Sequence, residues 1–193
     1  MRIVMALAAV FSLATPLRAE VRWQLDCQPG RFGTVVVNGV EGKGTYGWCT
    51  FTVSNKNGRD VPVSLGVWAE TDVAGRTYRG TLDPVVKDAV ERRTGKTYKT
   101  LTEARAAPLP DGESIELFVS LGKLDPNVDV LKVNVLGLAD RVYRDRGKTV
   151  VEDKALVLTV VRSGDEFLRN QDLLRLQSTK WVVLAPAKEM KKA

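Results

Sequence analysis

The chain has 193 residues and a formal charge of +6 from 29 basic and 23 acidic residues, with no histidine and two cysteines. The missing histidine excludes a serine–histidine–acid triad, a cysteine–histidine pair and any imidazole metal ligand, and two cysteines are too few for a four-thiolate zinc site. The length fits one domain with a sizeable core, and the scattered basic residues form no basic-plus-aromatic stripe for nucleic acid.

At the N-terminus, Met1-Arg2, an apolar run from Ile3 to Leu13 and the small Ala19 before Glu20 have the three parts of a secretory signal. Residues 1–19 are therefore expected to be removed, leaving a chain that works in the periplasm or outside the cell. The apolar run is shorter than the ~20 residues a spanning helix needs, and no later run could cross a membrane. Without Arg2 and Arg18, 29 basic residues become 27, so the charge after cleavage is nearer neutral. In an oxidising compartment Cys27 and Cys49 are expected to form a structural disulfide closing a loop of about 22 residues, worth about 3 kcal/mol.

Strand patterning follows. Val21 to Cys27 and Phe32 to Asn38 read as two short strands around a Pro29-Gly30 turn. From Tyr46 to Ser54, Cys49, Phe51 and Val53 alternate with Thr50, Thr52 and Ser54. The segment 55–60, with Asn57-Gly58 at its centre, reads as a hairpin turn into Val61 to Ala69, where Val61, Val63, Leu65, Val67 and Ala69 share a face. Ala74-Gly75 is the next turn, and Thr77-Tyr78-Arg79 a short return strand.

A helical insertion is expected at about 82–107. Asp83 is placed to cap it, Pro84 takes the first helical position, and Val85, Val86, Ala89 and Val90 recur at helical spacing before Gly95. Thr100 and Glu103 form a capping-box pattern for a second short helix. Strands resume at Ser114 to Leu121, Val130 to Leu138, Lys154 to Arg162 and Thr179 to Leu184, with a helical turn or long connection at 165–176. The apolar run Val157 to Val161 suits a central strand covered on both faces. Eight or nine short strands with turns between them predict a mainly β, two-sheet sandwich over residues 20–184, with 185–193 as a flexible tail.

Motifs for chemistry are few. Glu41-Gly42-Lys43-Gly44 lacks the strand–loop–helix context of a phosphate loop. Asp125 to Asp129 spaces oxygen ligands like a calcium loop, but Val130 and Leu136 stand where its glycine and glutamate belong. No metal or cofactor is expected. Glu70, Asp72, Asp83, Asp88 and Glu91 are candidate acids for a glycosidase, whose two carboxylates must face each other across a cleft. Trp48 is out of phase with Cys49 and Phe51, and Trp68 with Val67 and Ala69, so both indoles point outward or toward the helical insertion.

From Tyr46 to Leu138 the order of features resembles secreted bacterial immunoglobulin-like domains of largely unassigned function. The pieces are Phe51-Thr52-Val53-Ser54-Asn55, then Thr71-Asp72 with Gly75 and Tyr78, then Asp111-Gly112-Glu113 leading into Leu117-Phe118-Val119. The resemblance covers about half the chain and implies an exported, immunoglobulin-like sandwich; it implies no catalytic residues. The helical insertion and the extension beyond Val150 depart from that pattern.

These readings converge on a non-catalytic binding or scaffold module of the cell envelope. Its expected surface joins Trp48 and Trp68 to Arg92, Arg93, Lys96 and Lys99 of the insertion, facing an envelope protein or an anionic polymer. The alternatives are a small carboxylate-dependent polysaccharide hydrolase and an envelope assembly factor offering an exposed strand edge.

Overall fold

A computed structural model describes residues 20–145, 148–162 and 174–184. The expected signal segment 1–19, the tail 185–193 and most of the connection expected at 165–176 lie outside these residues. The described chain is mainly β and runs β1 (Glu20–Gly39), β2 (Gly42–Asn55), β3 (Gly66–Thr71), β4 (Thr77–Arg79), α1 (Pro84–Thr94), β5 (Lys99–Thr100), α2 (Leu101–Arg105), β6 (Ser114–Lys123), β7 (Val130–Leu136), β8 (Ala139–Asp145), β9 (Lys148–Arg162) and β10 (Leu174–Val183).

Two long strands organise it by changing partner along their length. β1 pairs with β8 over its first residues and with β2 from Leu25 onward. β9 pairs with β8 through Asp153, then carries β7 on one edge and β10 on the other. The ladder order β4-β3-β7-β9-β8-β1-β2-β6-β5, with β10 on β9, thereby folds into two facing layers. One is β1-β2-β6-β5 and the other β4-β3-β7-β9-β10. Apolar residues at alternate positions of both layers meet in one core, with Phe51, Val53, Leu117 and Val119 on one side and Ala69, Val133, Leu158 and Val160 on the other.

The pleat makes strands two-faced, and from Tyr46 to Cys49 both faces of β2 carry apolar residues. Cys49, Phe51 and Val53 enter the main core, while Tyr46 and Trp48 point away from it. α1 covers that outer face, burying Val86 and Val90 against Tyr46, Trp48, Tyr98 and Phe118. Its start and stop follow the local chemistry. Asp83 accepts from Val85 and Val86 N–H, and Gly95 adopts a positive φ of 68° that a side chain would resist. The other Asp83 oxygen accepts from Val40 N–H at 2.8 Å, tying the helix to the β1–β2 turn. In α2, Thr100 and Glu103 complete the reciprocal capping box.

Several expectations need correction. Pro29-Gly30 is not a turn: β1 runs through it as a bulge in which Arg31 N–H donates to Thr50 Oγ1 at 2.8 Å. A Cβ on Gly30 would stand 2.3 Å from that oxygen, so the close approach requires glycine. The segment 55–60 does not make a hairpin, because both edges of β2 are taken by β1 and β6. It crosses to the other layer instead. Val61, Val63 and Leu65 are buried as their alternation implied, yet they belong to no ladder beyond a single bridge between Val61 and Leu109. β8 and the first half of β9 were not expected. On β9 the inward residues Leu156, Leu158 and Val160 are buried and Val157 and Val161 are only half-buried, so one face is covered rather than two.

The expected disulfide is also corrected. Cys27 lies opposite Val53, and Cys49 lies opposite Phe32. The two cysteines therefore sit about four residues apart along the ladder, roughly 13 Å at ~3.3 Å per residue, beyond the ~7 Å Cα separation a disulfide tolerates. Both thiols are free and buried. Burial, followed by the nearby Asp26 charge, pushes the Cys27 thiol up to about 12, and burial also raises Cys49. High thiol pKa values leave little thiolate to react.

Candidate functional site

The residues expected to form one binding surface are divided between two places. Trp48 lies under α1 with only 2% of its surface exposed. Arg93 closes over it, with its guanidinium carbon 5.2 Å from the ring centroid and Nη1 donating to the Thr34 carbonyl at 3.1 Å. The Trp48 indole N–H is buried with no acceptor, a desolvation cost of about 1–3 kcal/mol. Nothing reaches that face of Trp48 unless Arg93 moves aside. A cleft of about 460 Å³ lies beside it, lined by Arg31, Phe32, Leu174 and Leu176 among others. The rest of the expected basic cluster is partly neutralised: Lys96 pairs with Glu116 at 2.7 Å, while Arg92 and Lys99 are exposed.

Trp68 is on the opposite layer. It stands on the outer face of β3, since Val67 and Ala69 take the inward positions. β4 returns through the Gly75 turn, where Thr71 Oγ1 donates to the Val73 and Arg76 carbonyls, and sets Arg79 directly opposite Trp68. Directly opposite residues have Cβ atoms about 4.5–5.5 Å apart. α2 closes the other side. Its Arg105 donates from Nη2 to the Leu65 carbonyl at 2.7 Å, which anchors the guanidinium at the cleft. Together with Leu65, Leu101 and Leu136 these residues line an open cleft of about 520 Å³, within the ~300–1,000 Å³ range of ligand sites.

Its electrostatics are one-sided. Among the described residues no carboxylate lines this cleft, and neither Arg79 nor Arg105 is in an ion pair. Glu70 projects from the same face of β3, one pleat from Trp68, and lies outside the lining. Trp68 is half-buried, and its N–H has no partner among the described residues.

The candidate glycosidase acids are employed elsewhere or stand apart. Asp83 is the α1 cap and is 3% exposed. Glu91 accepts from Lys87 Nζ at 2.6 Å and from Tyr98 N–H at 2.8 Å. Burial acts to raise its carboxyl, but those two donors prevail and hold it below its usual value. Asp72 accepts from Asp129 N–H, and Glu70 and Asp88 are exposed. At the rejected calcium loop, Asp125 Oδ1 accepts from Asn127 N–H, an ordinary Asx turn. Among the described residues no cluster of three or more acidic or cysteine side chains is placed to hold a metal, and no helix is long and apolar enough to cross a membrane.

Arg79 and Arg105 escaped the sequence reading. Arg79 was accessible to it: strands around Ala74-Gly75 fix the register that pairs it with Trp68. Arg105 was not, because α2 reaches the cleft only through the sandwich. Compared with protein-family models, curated proteins and solved structures, the chain matches none.

Proposed function

We propose that the protein is an exported, non-catalytic binding module of the cell envelope, built on an immunoglobulin-like sandwich, and that its ligand seats in the Trp68 cleft. The observation that carries the reading is that cleft itself: a half-buried indole and two guanidinium groups on rigid elements, around an apolar floor. Tryptophan and arginine are among the residue types enriched where binding energy concentrates. The signal-like N-terminus supports export, and the face-to-face antiparallel layers support the immunoglobulin-like likeness. The hydrolase alternative is disfavoured by the absence of a carboxylate among the described lining residues, since both glycosidase mechanisms require two acids at the scissile bond.

The test uses protein labelled with ¹⁵N in its indoles, titrated with envelope glycans and with ring-bearing small molecules. The reading requires saturable binding that moves the Trp68 indole signal and is lost in Trp68→Ala, with no turnover of the bound compound. Hydrolysis of a bound glycan, or binding that leaves the Trp68 signal in place, refutes it.

One observation favours a second reading, strand addition during envelope assembly. Among the described residues β10 pairs only with β9, and Leu176, Trp181, Val182 and Val183 are each at least 40% exposed along it. An apolar unpaired edge of this kind accepts an added strand. Trp181→Lys abolishes partner capture if this reading holds and leaves Trp68-dependent binding intact.

A further inference from the structure

We propose that the ligand of the Trp68 cleft carries an oxyanion on a flat apolar body, with the oxyanion held by Arg79 and Arg105 and the body laid against Trp68. This rests on the binding reading above and specifies its chemistry. Arg105 is pre-positioned: its bond to the Leu65 carbonyl uses one of five guanidinium N–H groups and leaves donors for a ligand. Arg79 is placed on the same cleft by the β3–β4 register, opposite Trp68, and among the described residues it is in no ion pair. Two guanidinium groups beside an apolar wall, with no carboxylate among the described lining residues, make a local positive field that low-dielectric walls concentrate.

The guanidinium fork accepts either carboxylate or phosphate, since both offer a pair of oxygens for a bidentate contact. The flat body follows from the walls. Trp68 presents an aromatic face that no cation covers among the described residues, in contrast to Trp48 beneath Arg93. Leu101 and Leu136 supply the remaining apolar surface. The volume suits a compact small molecule more than an extended polymer.

The probes are 2-naphthoate, 2-naphthyl phosphate, glucuronate and the neutral 2-naphthamide, titrated into the indole-labelled full chain. The Trp68 signal is identified as the one missing from Trp68→Phe. At least one of the two anionic naphthyl probes is expected to move that signal saturably and to bind at least tenfold more tightly than 2-naphthamide. Arg79→Gln is expected to weaken that probe by about 10- to 100-fold, as loss of a charged hydrogen bond does, and Arg105→Gln similarly, while Arg92→Gln changes nothing. Arg79 is exposed, so its variant keeps the fold, checked by an unchanged thermal midpoint. Naphthoate against naphthyl phosphate separates carboxylate from phosphate, and glucuronate binding as tightly as either overturns the flat apolar body.

If naphthamide binds as well as naphthoate and Arg79→Gln is without effect, the oxyanion assignment is overturned and the cleft stands as a neutral-ligand site. If none of the four probes moves the Trp68 signal, the oxyanion assignment is overturned. The broader binding reading then falls only if the glycan and ring-compound titration also leaves that signal unmoved.

Discussion

Asn55 ends β2 fully buried, and its carboxamide fastens the crossover between the layers. Its Nδ2 donates to the Arg59 carbonyl at 2.7 Å and to the Leu109 carbonyl at 2.8 Å, and its Oδ1 accepts from Asn57 N–H and Nδ2. Its own N–H and carbonyl pair with Glu113 and Gly112, so one residue holds both segments 55–60 and 109–113. Asn55→Ala removes two carbonyl partners at about 1 kcal/mol each and leaves a small void, for a total of about 2–3 kcal/mol. The Leu109 carbonyl keeps its bond from Val61 N–H, which limits the loss. Asn55→Asp has nearly the same shape but turns a donor into an acceptor facing two carbonyls. It should cost at least as much as alanine at pH 7, because it buries an uncompensated charge. Urea unfolding at 25 °C is the assay. With a slope of about 2 kcal/mol/M the midpoint falls by about 1–1.5 M for Asn55→Ala, with the slope unchanged. If Asn55→Asp costs less than about 1 kcal/mol, the size of a single such hydrogen bond, the carboxamide does not fasten the crossover.

Three further outcomes follow from the geometry. The native protein should resist alkylation, and without any reductant the unfolded chain should release two thiols, at Cys27 and Cys49; mass spectrometry showing a linked pair contradicts the β1–β2 register. Glu91 has a depressed folded-state pKa, so its stabilisation is present above its usual value of 4.5 and is lost as pH falls through the folded value. Glu91→Gln should therefore unfold with a shallower acid limb below about pH 4.5 than wild type, and identical limbs contradict the Lys87 and Tyr98 contacts. Trp48→Phe keeps a ring under Arg93 and deletes the unsatisfied N–H, so it should cost far less than Trp48→Ala, which loses about 3–5 kcal/mol. Equal losses in thermal unfolding would mean the indole N–H has an acceptor after all.

Local signals carried much of this fold in the sequence alone. Asp83-Pro84 and Gly95 set both ends of α1, and the Thr100–Glu103 pair sets the start of α2, because caps and positive φ are decided by the residues at the ends. Period-two alternation correctly marked Val61, Val63, Leu65, Val67 and Ala69 as buried. Alternation reports which side faces the core and is silent about which strand lies alongside, and there the tertiary structure decided. It turned Pro29-Gly30 into a bulge, used 55–60 to change layers, held Cys27 and Cys49 apart, and placed Trp48 and Trp68 on different layers. The candidate site shows the same division. Trp68 and its partner Arg79 follow from a short hairpin, where neighbours in space are near neighbours in sequence. Arg105 reaches Leu65 across 40 residues of chain, and only the packing of α2 against the sandwich brings its charge to the cleft.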